Sequence, residues 1–169
     1  MIHRTFIGVA LFLTLAALPA AANADFERIV ALDGDWVELG EDGKPGDEVV
    51  TKWRVTAAGT AVIETMHPGG EHEMVTMYHP SGEKLALTHY CSMGNQPRME
   101  ALADGGTIDF KCVGGDNIPD EDSPHMHAMS LEFVDENHVF ATWTHHDGDE
   151  SHSMKLDLVR KSAGVATAR

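Results

Sequence analysis

Beyond its first residues the chain has no long apolar run, few basic residues and little cysteine. Each shortage excludes something. No segment after the N-terminus approaches the length needed to cross a bilayer as a helix. Lysine and arginine number 12 against 27 aspartate and glutamate, a formal net charge of -15 over 169 residues. That balance repels nucleic acid and anionic membrane. It suits a well-solvated surface, and it would also suit cationic ligands. There is no Cys-x-x-Cys-His motif for covalent haem attachment. The two cysteines are Cys91 and Cys112. In a simple meander they close the fifth and seventh strands, about 10 Å apart, which exceeds disulfide reach; a broken sixth strand would permit the bond.

The N-terminus reads as an export signal. Arg4 supplies positive charge, Phe6 to Leu18 a short apolar core, and Ala22-Asn23-Ala24 a small-residue cleavage signature. Residues 1–24 are therefore expected to be a signal peptide, residues 25–160 one domain, and residues 161–169 a frayed tail. The mature chain is expected in the periplasm or outside the cell. A domain of this size buries roughly two thirds of its unfolded surface, so it folds without a disulfide or metal.

Within the domain, turn signals arrive every eight to twelve residues, the rhythm of an all-β sandwich or barrel. Phe26, Ile29 and Val30 share one side of a short helical turn. Strands are expected at Trp36–Leu39, Val49–Thr56, Ala61–His67, His72–His79, Lys84–Cys91, Pro97–Leu102, Thr107–Cys112, His125–Phe133, His138–His145 and Ser151–Val159. Between them lie Gly-, Pro-, Asn- and Asp-rich turns, and one long acidic loop, Gly114 to Pro124. About ten short strands joined by hairpins predict an up-and-down antiparallel β-barrel, which leaves no exposed edges.

Strand direction then sorts the histidines. If the first strand runs up, odd strands end at the top and even strands begin there. His67, His72, His89, His125, His127, His145, His146 and His152 all fall at that rim, while His79 and His138 fall at the other. Alternation along each strand puts His89 with Leu85 and Leu87, and His125 and His127 with Met129, Leu131 and Phe133. It puts His145 with Val139, Ala141 and Trp143, all inward, and points His146 outward.

These positions suit two chemistries. Apolar walls of Met129, Leu131, Phe133, Trp143, Leu85 and Leu87 fit the hydrophobic body of a small molecule, and His89, His125, His127, His145, Asn95 and Arg98 would orient its polar end. Alternatively His125-x-His127 sets two imidazoles on one face about 7 Å apart at their Cα atoms, and His89 could complete a divalent metal site with an open position for water, as in a metalloenzyme. A single inward histidine could also ligate noncovalent haem. An ordinary filled core with histidines at a half-wet rim has the same pattern. Cys91 lies on the face of His89, but no carboxylate is placed to orient that imidazole, so a buried, inert thiol is the better reading.

Gly34-Asp35-Trp36 resembles the Gly-x-Trp that opens the first strand of lipocalin-like calycin barrels. His72-Glu-Met74, Met77-Tyr78-His79 and Leu87-Thr-His-Tyr-Cys91-Ser-Met-Gly-Asn95-Gln-Pro-Arg98-Met99 resemble a group of poorly characterised bacterial lipocalin-like proteins. The resemblance spans about Phe26 to Arg160. It implies a barrel plugged near the start of the first strand and open at the histidine-rich end, with Arg160 packed over Trp36. It implies no catalytic triad.

Overall fold

The computed structural model describes residues 20–102 and 106–162. Most of the expected signal peptide (residues 1–19) and of the expected tail (residues 163–169) lie outside the described residues. A helix, α1 (Ala20–Val30), leads into ten strands. They are β1 (Gly34–Leu39), β2 (Pro45–Thr56), β3 (Ala61–Met66), β4 (Met74–Ser81), β5 (Lys84–Tyr90), β6 (Gln96–Ala101), β7 (Thr107–Asp116), β8 (His125–Asp135), β9 (His138–Asp147) and β10 (Glu150–Arg160). Each pairs antiparallel with its neighbours in sequence, and β1 closes on β10. The fold is the expected closed up-and-down barrel. Among the described residues, no helix is long and apolar enough to cross a membrane.

The core fills the barrel. Trp36, Trp53, Trp143, Tyr78 and Phe110 are its largest fully buried side chains, packed among Met66, Leu85, Leu87, Met99, Ile108 and Met129. They come from alternate strand positions, as side-chain alternation demands. One end is sealed. The helix buries Phe26 and Ile29, and Leu32 follows them inward from the turn after it. The Trp36 indole N–H donates to the Leu32 carbonyl at 2.8 Å. Arg160, on the last strand, stacks its guanidinium 4.5 Å from the Trp36 ring and donates to the carbonyls of Asp33 and Ala31 at 2.7 and 2.8 Å. Gly34 makes room for it: a Cβ there would meet Arg160 Nη1 at 2.9 Å, and its φ is +139°.

The other end is asymmetric. β1 is short, broken by the Gly40–Lys44 turn, and registers with β10 only over Leu158–Arg160. The upper half of β10 thus runs past the top of β1. Met154 shows the consequence. It sits opposite Trp143, so the two share the inward face, yet Met154 is 45% exposed while Trp143 is 1% exposed. The inward face of upper β10 is thus left uncovered, while Trp143 beside it stays buried.

Strand ends differ from the expectation in informative places. β2 starts at Pro45 and β7 continues to Asp116. His67 and His72 lie in the β3–β4 connection rather than on strands, and both are exposed. Cys91 and Cys112 are free, with the continuous β6 between β5 and β7.

Candidate functional site

The site is built on a polar row that crosses four strands. Trp53, Glu64, Thr76 and His89 are direct cross-strand partners from β2 to β5, so all four face the same way. All are buried. Within the row, Glu64 accepts from the Tyr78 hydroxyl at 2.6 Å and from the Thr51 hydroxyl at 3.1 Å. Burial pushes its carboxyl up to about 7, against the pull of those two hydrogen bonds. Burial and the neighbouring carboxylate together raise the Tyr78 phenol.

His89 occupies the mouth-side end of the row. Its Nδ1 lies 2.9 Å from Thr76 Oγ1. Its ring is tilted against Trp143, centroid to centroid 4.7 Å. Burial holds its pKa down at about 4, so the imidazole is neutral at physiological pH. Trp143 and His145 stand two residues apart on β9 and so share the inward face. Three buried nitrogens in this corner, His89 Nε2, Trp143 Nε1 and His145 Nε2, have no hydrogen-bond partner. Buried polar groups are almost always paired, so these three nitrogens on adjoining side chains leave hydrogen-bonding capacity unused in this corner, as do Trp53 Nε1 and Asn95 Oδ1 elsewhere.

Loops close over part of the mouth. The turn after β5 buries Asn95, whose Nδ2 donates to the Pro124 carbonyl at 2.8 Å. Asn117 Nδ2 donates to the Gly94 carbonyl and to Gln96 Oε1, both at 3.0 Å. The Gly148 amide donates to the Asp122 carbonyl at 3.0 Å. The segment between β7 and β8 is thereby tied to the hairpins on both sides of it. Gly115 enables the close approach at its root, since a Cβ there would overlap the Gln96 carbonyl and Pro97.

The expected site residues do not all meet. His89, His145 and Trp143 come together inside the barrel, and Asn95 sits in the covering turn. Arg98 is exposed between buried Pro97 and Met99, so it faces outward, away from the mouth. His125 also differs from the expectation that it faces inward. The β8–β9 ladder slips between Met126 and Ala128: His125 pairs with His146 and Met126 with His145, leaving His127 as the extra residue of a β-bulge. One inserted residue reverses the parity of everything before it. Met126 therefore packs on the core, and His125 joins His146 on the outer wall. There the three rings of His125, His127 and His146 cluster in a cavity of about 660 Å³ under the acidic loop, with Lys111 and Asp120 to Asp122. His125 Nε2 lies 3.2 Å from His127 Nδ1. Desolvation, then the neighbouring His125 and His146, lower the His127 pKa.

The wall of the barrel consequently separates His89 from His125 and His127, so those three do not hold one ion together. Among the described residues, no three His, Cys, Asp or Glu side chains converge their donor atoms as they stand. Of the buried histidines, His89 is the one that faces the interior; Thr76 holds its Nδ1 and its Nε2 has no partner. The row Trp53–Glu64–Thr76–His89 was only partly legible in sequence. Glu64 lies in an alternation that its neighbours Val62 and Met66 had already made apolar, and that acidic residue on an apolar face is the signal that could have found it.

Neither the family models nor the curated proteins compared with this chain give a match.

Proposed function

We propose that this chain is an exported lipocalin-like barrel that binds a small, largely apolar, uncharged molecule through the mouth beside β10. The observation that carries this reading is the trio of unpartnered buried nitrogens on His89, Trp143 and His145. Trp143 supplies an N–H donor, and a neutral imidazole supplies one donor or one acceptor according to its tautomer. A carbonyl or hydroxyl oxygen on the ligand answers both. Charge on the ligand is disfavoured, because among the described residues the buried polar ones include no lysine or arginine to balance an anion, and Glu64 already uses its oxygens on Tyr78 and Thr51. The apolar body of the ligand would lie along the uncovered inward face of β10 at Met154, beside Trp143. Arg160 stacked over Trp36 supports the lipocalin-like reading. The charged, apolar and small-residue order of the first 24 residues supports export.

The test uses 2-naphthol, an uncharged aromatic alcohol, as probe, with quenching of the three buried tryptophans as readout. Saturable binding is expected, weakened about tenfold in Trp143→Phe and in His89→Ala, the value of one hydrogen bond near 1.4 kcal/mol. Equal affinity in wild type and both variants overturns the site. Native mass spectrometry of protein purified from its own compartment would show a co-purifying organic species, and N-terminal sequencing there is expected to begin near Asp25.

A further inference from the structure

The outer-wall histidines have a geometry that the barrel interior does not require. We infer that His125, His127 and His146 form a site for a borderline divalent transition metal such as zinc, separate from the ligand site inside the barrel. Their ring centroids form a nearly equilateral triangle, with sides of 5.3, 5.3 and 5.7 Å. An imidazole nitrogen binds zinc at about 2.1 Å, which puts the ring centroid about 3.2 Å from the ion. Three such rings at tetrahedral angles have centroids about 5.2 Å apart. The ring centroids thus stand at the spacing that one ion needs, although the donor nitrogens do not yet converge.

Two further features favour coordination. His125 Nδ1 lies 2.6 Å from the Ser123 carbonyl. A carbonyl only accepts, so Nδ1 carries the proton and Nε2 keeps its lone pair, aimed at His127. This is the outer contact that metal-binding histidines generally make. His146 Nδ1 lies 3.3 Å from Ser151 Oγ, a hydroxyl that can donate or accept. Second, Asp120, Glu121 and Asp122 line the same cavity. A carboxylate from that stretch, or water, would fill the fourth position. His125 Nε2 and His127 Nδ1 now face each other at 3.2 Å, so loading the ion requires the donor nitrogens to turn toward a common point. The bulge at His127 explains why the site exists. Without the extra residue, His125 would face inward and the triangle would be split by the wall.

The experiment is titration of the metal-stripped mature chain with Zn²⁺ by calorimetry, and with Co²⁺ by visible absorption. One Zn²⁺ per chain is expected, with the intense visible bands of tetrahedral cobalt. His127→Ala and His146→Ala should each weaken binding at least about 100-fold, more than the loss of an outer-shell partner. His89→Ala should leave it unchanged, which also separates this site from the interior one. Near-UV circular dichroism of the buried tryptophans reports that each variant has folded. His127→Gln gives a second variant if the alanine protein does not fold. The inference is overturned if no stoichiometric binding occurs, if the cobalt spectrum is the weak one of octahedral water ligands, or if folded His127 and His146 variants bind as wild type does.

Discussion

Glu64 and His89 lie in one buried row, and their effects on stability should run in opposite directions with pH. Glu64 has its carboxyl raised from 4.5 to about 7 by burial. Below pH 4.5 both folded and unfolded chains hold the proton, and the group costs nothing. As the pH rises from 4.5 to about 7, the unfolded chain releases that proton and the barrel keeps it, so stability falls. At about 1.4 kcal/mol for each tenfold change in proton concentration, the loss is about 3 kcal/mol. His89 behaves oppositely. Its pKa is lowered from 6.5 to about 4. Above pH 6.5 the ring is neutral in both states. As the pH falls from 6.5 to about 4, the unfolded chain takes a proton that the barrel refuses, and about 3 kcal/mol is lost.

Between pH 4.5 and 6.5 these two contributions nearly cancel in the wild-type protein, and removing either side chain unmasks the other. Urea unfolding followed by tryptophan fluorescence suits the test, because Trp36, Trp53 and Trp143 are all buried. The Glu64→Gln protein should gain about 3 kcal/mol relative to wild type between pH 4.5 and 7.5. The His89→Gln protein should lose a similar amount relative to wild type over pH 4 to 6.5. The wild-type comparison removes the general repulsion of an acidic chain, which all three proteins share. If the pH profile of Glu64→Gln runs parallel to that of wild type, Glu64 titrates normally and the buried row has been misread.

Three further outcomes follow from the ends of the barrel. Arg160→Met removes the stack on Trp36 and the bonds to Asp33 and Ala31; about 2–3 kcal/mol of stability should be lost in urea unfolding, with 2-naphthol affinity unchanged at the opposite end. Asn95→Ala frees the loop from its bond to the Pro124 carbonyl; hydrogen exchange in residues 117–124 should quicken while β8 and β9 keep their protection. Alkylation of the unfolded chain without reductant should add two groups, one on each free cysteine. A single disulfide-linked species would refute that assignment.

The sequence carried the barrel further than it carried the site, and the reason lies in what alternation can record. Turn residues between Lys84–Cys91, Pro97–Leu102 and Thr107–Cys112 mark where strands stop, so order and direction could be counted. Direction alone brings most of the histidines to one end, and the closed order β1 to β10 is the one that count requires. Facing is a different matter, because it depends on register at each residue. His89 was placed correctly since Leu85, Leu87 and His89 lie on an unbroken strand whose pairing with β4 does not slip. His125 was not, because the bulge at His127 has no glycine or proline to announce it. A second reading was possible. His125-Met126-His127 leaves Met126 as the apolar residue of the triplet, and turning Met126 inward forces both the bulge and the outward His125. Hydrophobic burial decides that choice: hiding the Met126 side chain gains of the order of 1–2 kcal/mol, while an inward His125 would add another buried imidazole to a corner that already holds His89 and His145 with unpartnered nitrogens. The bulge thus spares the buried corner at His89 and His145 a further imidazole, and in doing so assembles the second cluster outside it.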